Sequence, residues 1–278
     1  MITKVVADSS CDMISYGDDN FEAVPLTIYT DEISYTDDIS LDIHEMLGVL
    51  EKYKGRSYTA CPSTESWLKA YEGGDTIYVV TLTSGLSGTY NSAMVARDMY
   101  LQDHPEAKVE VFDTLSTGPE MRLVVEKIID LNRQGYGFEE VCSMIREYIK
   151  HTRLFFSFKS LHNFAQNGRV SKVVASAVGM LGISILGAAS EEGTIEPIGK
   201  CRGEKKVVSC LAEELDKAGY SGGKIRICHI ENQELATKVA EVVKNRYPDA
   251  DINIYAARGL CSYYGERGGI ILGCECRV

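Results

Sequence analysis

Thr81-Leu82-Thr83-Ser84-Gly85-Leu86-Ser87-Gly88-Thr89-Tyr90-Asn91-Ser92 joins an apolar run, Ile77 to Leu82, to a stretch of helical character. A turn this rich in hydroxyls and glycine, between the end of one element and the start of the next, is suited to holding an anion. Glycine lets the backbone approach a ligand closely, the first N–H groups of a helix have no partner within it, and the helix dipole adds partial positive charge at that end.

The residue types narrow the choice of anion. A nucleotide phosphate is unsupported: the G-x-x-x-x-G-K-[ST] pattern is lacking, and no G-x-G-x-x-G follows the first strand pattern. Gly85-Leu86-Ser87-Gly88 begins like a G-x-S-x-G nucleophile elbow, but Thr89 stands at the last position. The five histidines, His44, His104, His151, His162 and His229, show no local pattern that would complete a triad. A serine hydrolase or acyltransferase using Ser87 is thus an alternative, and a helix-capping serine the plainest reading. A single carboxylate fits best, because hydroxyls and a few backbone N–H donors satisfy it without a lysine.

Around this turn, strand and helix patterns alternate. Lys4 to Ala7, Ala23 to Tyr29, Thr76 to Leu82 and Val109 to Phe112 are short, β-rich and bounded by turn residues. Ile43, Met46, Leu47 and Leu50 keep helical spacing behind Ser40, the expected N-cap. Met121, Val124, Val125, Ile128 and Ile129 repeat that spacing after Pro119, and Phe138 to Lys150 is again helical. A second hydroxyl cluster, Tyr58-Thr59-Ala60-Cys61-Pro62-Ser63-Thr64, precedes a helix pattern with Trp67, Leu68 and Tyr71. Such alternation implies an α/β fold with a mostly parallel sheet covered on both faces, whose ligands bind beyond the strands' carboxyl ends. The Ser84 to Thr89 turn falls at such an end.

After Thr152 the pattern changes. Arg153 to Lys159 reads as a strand and Leu161 to Gln166 as a helix, and Ile183 to Ser190 meets Thr194 to Cys201 as a hairpin. Helices Glu204 to Ala218 and Asn232 to Tyr247 follow, with strands Lys224 to Ile230 and Asp251 to Ala256. The expected division is an α/β domain over residues 1–152 and an α+β domain over residues 153–278, lengths that each bury a core.

Composition bounds the function. Hydrophobic residues at 45% and charged residues at 25% are those of a globular chain, and a net charge of -11 argues against nucleic acid, which is bound by neutralising phosphates. The start from Met1 to Asp8 runs into a strand pattern without the zones of a signal peptide, and the nine cysteines form no C-x-x-C pair, so a cytoplasmic protein with reduced thiols and no metal is expected. The uncharged run Val173 to Ala189 is short of the roughly 20 residues of a membrane span and reads instead as core or as the wall of an apolar cavity.

Four segments together resemble the DegV family of fatty-acid-binding proteins. Asp8-Ser9-Ser10-Cys11-Asp12 is similar to its opening D-S-[ST] turn, and Thr59-Ala60-Cys61-Pro62-Ser63 to its T-S-Q-P-S segment. Ser84-Gly85-Leu86-Ser87-Gly88-Thr89-Tyr90 resembles S-S-G-L-S-G-T-Y, and Asn167-Gly168-Arg169-Val170-Ser171 resembles G-G-R-I-S. Their order and spacing make the match specific from end to end.

The resemblance implies a long-chain fatty acid such as palmitate in an apolar tunnel between the domains, its carboxylate held by Thr59, Ser87 and the Gly88 N–H. It implies a lipid-binding, non-catalytic subunit without cofactor, which presents the carboxylate to a separate ATP-binding fatty-acid kinase subunit, with Arg169 a candidate for docking that partner. A lipid sensor without a kinase is the alternative within the same family, and transient membrane contact is compatible with either. Where related chains carry H-x-G-P-G, this one has Tyr263-Tyr264-Gly265-Glu266-Arg267-Gly268-Gly269. Either Tyr263 offers its phenol in place of the missing histidine, or the site rests on Thr59 and Ser87 alone. Ala60 and Cys61 replace the family's Ser and Gln, which bears on acyl preference; Cys61 reads as a buried, inert thiol, with redox activity the alternative.

Overall fold

The computed structural model describes residues 2–17, 21–171 and 182–276. The first half runs β1 (Thr3–Asp8), a 3-10 turn (Ser9–Cys11), β2 (Phe21–Val24), β3 (Thr27–Tyr29), β4 (Ser34–Thr36), α1 (Ile43–Leu50), β5 (Tyr58–Ala60) and α2 (Thr64–Tyr71). It continues with β6 (Thr76–Thr81), α3 (Thr89–Asp103), β7 (Lys108–Asp113), α4 (Gly118–Arg133) and α5 (Phe138–Lys150). The second half holds β8 (Thr152–Phe158), α6 (His162–Gln166), β9 (Ile183–Ala189), β10 (Ile195–Arg202) and α7 (Glu204–Lys217). It ends with β11 (Lys224–His229), α8 (Gln233–Arg246), β12 (Asp251–Ala256), α9 (Gly259–Gly265) and β13 (Ile270–Glu275).

Every residue of β6 is buried, as a strand covered on both faces of a parallel sheet must be. It lies beside β1 in a four-stranded parallel sheet ordered β2-β1-β6-β7, and the Ser84 to Thr89 turn leaves its carboxyl end. A six-stranded mixed sheet, ordered β10-β9-β8-β13-β11-β12, is built from the second half, and β9 and β10 form the expected hairpin. The fold is therefore the α/β architecture read from the pattern, with a second, mixed sheet.

Two expectations need correction. Ala23 to Tyr29 is not one strand: the chain breaks at Pro25, β2 joins the parallel sheet, and β3 joins a three-stranded antiparallel sheet ordered β4-β3-β5. Proline brings no N–H to a ladder, and the Leu26 N–H goes to Ser9 Oγ at 3.1 Å instead. The switch sets β3 against β5 with Ile28 opposite Thr59, which places Thr59 at the site. The N-cap of α1 is Asp42, which accepts from the Glu45 N–H, whereas Ser40 bonds Asp38.

α4 ties the two large sheets together, packing on β1 and β6 and on β11 and β13. Thr117 precedes it at the N-cap and Pro119 supplies the preset φ of a first turn. Within this contact Glu126 and Arg226 form a buried bidentate pair, with 2.7 Å between Arg226 Nη2 and Glu126 Oε2. Gly273 of β13 lets the start of α4 cross closely, since a Cβ there would stand 2.4 Å from the Glu120 nitrogen. Among the described residues no helix is long and apolar enough to cross a membrane. Of the uncharged run, residues 173–181 lie outside the described residues, and Ile183–Ala189 is β9.

Candidate functional site

Alternation along β8 puts Leu154, Phe156 and Phe158 on one face. They form one wall of a cavity of about 680 Å³, open mouth included, and Leu26, Leu82 and Leu86 face them from the first half. Phe156 stacks on Phe158 at 4.4 Å between ring centroids, Phe158 on Phe164 at 6.1 Å, and Phe164 on Tyr264 at 4.6 Å. This ladder of rings leads from the apolar interior to a polar cluster. Gly187 pairs with Phe156 across β8 and β9, and a Cβ at that glycine would stand 2.1 Å from the Phe156 ring.

The polar cluster gathers residues distant in sequence. Thr59 Oγ1 and the Tyr264 hydroxyl lie 2.9 Å apart, and both line the cavity. Ser87 lines it as well, its Oγ 2.8 Å from Thr89 Oγ1 and accepting the Thr89 N–H at 3.3 Å. Gly88 is the exposed N-cap of α3, brings no side-chain cap, and is not among the residues lining the cavity. Arg169 is on the cavity wall too: its Nε donates to the Leu86 carbonyl at 3.1 Å and its Nη1 to the Asn167 carbonyl. Burial pushes the Tyr264 phenol above its ordinary range, while Thr59 and the Arg169 charge pull it back, so it remains a protonated donor.

Tyr263 faces the other way. Its hydroxyl bonds Ser57 Oγ at 2.8 Å and Asn167 Nδ2 at 2.9 Å, and it does not line the cavity. Of the two tyrosines of α9, Tyr264 lines the cavity, while the Tyr263 hydroxyl is held outside it by Ser57 and Asn167. Helix phase was the signal: Leu260 lines the cavity, and Tyr264 is four residues on. Cys61 is exposed rather than buried as expected, because it lies in the loop between β5 and α2, and a Cβ on Gly88 would come within 3.6 Å of its Sγ.

Buried carboxylates fix these segments. Asp8 accepts the Leu82 N–H at 2.7 Å, holding the strand end before the turn. Asp12 accepts the Arg258 N–H at 2.6 Å, and Asp37 accepts those of Gly259 and Leu260 at 2.7 and 2.9 Å, so the start of α9 is held by the first half. Burial raises Asp8 and Asp12 each to about 7, and it raises Asp37 as well. Among the described residues no cluster of His, Cys, Asp and Glu could hold a metal, and no histidine lines the cavity.

Such a molecule is an α/β protein of two large sheets and one small one, with a greasy cavity that meets hydroxyls and one guanidinium. The family model described as DegV family COG1307 matches residues 2–270. The chain belongs to the DegV family. It is 42% identical to the DegV domain-containing protein spr0652 of Streptococcus pneumoniae, over 99% of each chain. Among solved structures, a DegV family protein from Eubacterium eligens loaded with heptadecanoic acid superposes with a TM-score of 0.97 at 57% identity, covering 99% of this chain and 100% of that one. The Streptococcus pneumoniae Fatty Acid Kinase (Fak) B3 protein loaded with linoleic acid gives 0.98 at 42% identity, covering 100% of both chains.

Proposed function

We propose that this chain holds a long-chain fatty acid such as palmitate in the cavity and presents its carboxylate to a separate ATP-binding fatty-acid kinase subunit. In this reading residues 1–152 are the α/β domain carrying the head-group loops and residues 153–278 the α+β domain covering the acyl chain. The chain acts as a carrier, with neither catalysis nor cofactor of its own, and works in the cytoplasm.

The observation that carries this reading is one cavity lined by leucine, isoleucine and phenylalanine that meets Thr59, Ser87, Tyr264 and Arg169. Each buried methylene contributes roughly 0.8 kcal/mol, so the chain supplies affinity and the donors fix which end is presented. Hydroxyls of Thr59, Ser87 and Tyr264 and the N–H groups at Gly88 receive the carboxylate. Tyr264 takes the position expected of Tyr263, whose hydroxyl is engaged with Ser57 and Asn167. Arg169 supplies the countercharge and, on the rim, part of the surface a kinase would dock against. The solved relatives that carry heptadecanoic and linoleic acids support the ligand class. A hydrolase reading of Ser87 lacks a base, because no histidine is among the residues lining the cavity.

Native mass spectrometry of the purified chain, followed by denaturing lipid extraction, tests the proposal. About one fatty acid per chain is expected, and its repeated absence would overturn the carrier. Capture of an ATP-binding protein that is lost in Arg169→Glu tests the presenting step.

A further inference from the structure

Thr117 stands at the N-cap of α4, where a threonine ordinarily spends its hydroxyl on the first turn, yet its side chain makes no capping bond. Its Oγ1 is buried without a hydrogen-bond partner among the described residues, and the residue lines the cavity. The other polar side chains on that wall are engaged. Thr83 donates to the Gly193 carbonyl at 2.8 Å, Thr59 and Tyr264 bond each other, Ser87 bonds Thr89, Arg169 holds the Leu86 carbonyl, and the Cys261 thiol points at the Ser10 carbonyl. Thr117 alone among the described lining residues keeps an unspent hydroxyl inside an apolar chamber.

Its chain neighbour Gly118 adjoins the amino end of α9. A Cβ on the adjoining Gly118 would stand 3.4 Å from Cys261 Sγ and 3.6 Å from Asp12 Oδ2. Thr117 therefore sits beside the Cys261 end of α9, whereas Thr59 bonds Tyr264, about 4.5 Å further along the helix axis at 1.5 Å per residue. The amino end of α4 also brings its partial positive charge to this corner, which favours an oxygen there.

A methylene chain running past Thr117 leaves the hydroxyl unsatisfied, which is unfavourable for a buried polar group. A hydroxyl on the chain removes that cost, because it donates and accepts at once. We propose that the cavity is built for a fatty acid carrying a hydroxyl along its chain, read by Thr117. The inference rests on the acyl-carrier reading above and adds the substrate class. It follows the asymmetry of polar recognition: an apolar wall barely rejects an extra hydroxyl, whereas a wall with an unpaired hydroxyl favours the ligand that pairs it.

The test titrates the delipidated full chain with stearic acid and with a series of its monohydroxy positional isomers, on wild type, Thr117→Val and Thr117→Ser. At least one isomer is expected to bind roughly three- to tenfold more tightly than stearic acid, the range of one net hydrogen bond. Thr117→Val should bring that ratio to one or below, and Thr117→Ser should retain it. If stearic acid binds and no isomer exceeds it, or if the preference survives Thr117→Val, the hydroxy-acid proposal falls and the carrier stands. If neither stearic acid nor any isomer binds, both fall.

Discussion

Thr59 and Tyr264, separated by 205 positions in the chain, meet across 2.9 Å at the wall of the cavity. One comes from the three-stranded sheet and the other from α9, so the proposed head-group site needs both segments in place.

Tyr264→Phe removes one donor from the carboxylate and should weaken fatty-acid binding about tenfold, the value of one charge-assisted hydrogen bond. Tyr263→Phe should leave affinity within about twofold while lowering the melting temperature, because Ser57 and Asn167 lose their partner. Calorimetric titration of both variants checks the assignment, and a larger binding loss in Tyr263→Phe would reverse it.

Gly187→Val should shift acyl preference toward shorter chains. The new side chain would collide with the Phe156 ring and drive it into the cavity. Every methylene excluded should cost about fourfold in affinity, at roughly 0.8 kcal/mol each. Competition among saturated acids of graded length measures this, and unchanged length preference would show that the ring moves elsewhere.

Glu126→Ala should destabilise the fold by about 3–5 kcal/mol, because it strands the Arg226 guanidinium in a buried site. Adding Arg226→Met should recover part of the loss. Urea unfolding of both variants provides the comparison, and additive losses in the double variant would mean that the pair is not coupled.

Stability should fall as pH rises from about 4 to about 7. Asp8 and Asp12 move from an ordinary 3.8 to about 7 on burial, so the native state binds more protons than the unfolded chain across that window. Their contribution is complete below the unfolded value and disappears as pH climbs through the folded one. Asp8→Asn with Asp12→Asn should flatten that part of the stability curve, and urea midpoints taken across the window decide it: a slope equal to that of wild type would mean that both carboxylates stay ionised.

Local pattern was enough for the parallel sheet, because β1, β6 and β7 are short β-rich segments bounded by turn residues and separated by helical stretches. The placement of the Ser84 to Thr89 turn followed from the same rule, and so did the β9 and β10 hairpin. Pro25 was visible and should have split its strand, since a residue without an N–H ends a ladder. Tyr264 was within reach of helix phase, although the boundary of α9 had first to be known. The aromatic ladder and the Asp8, Asp12 and Asp37 contacts were beyond reach, because each joins segments whose proximity depends on how the sheets pack.

Asp12 and Asp37 have a last consequence, for traffic in and out of the molecule. Prising α9 away from the first half would strand the N–H groups of Arg258, Gly259 and Leu260 together with two acids sealed from water. In the proposed carrier, the expected route for cargo is therefore one that leaves this latch closed.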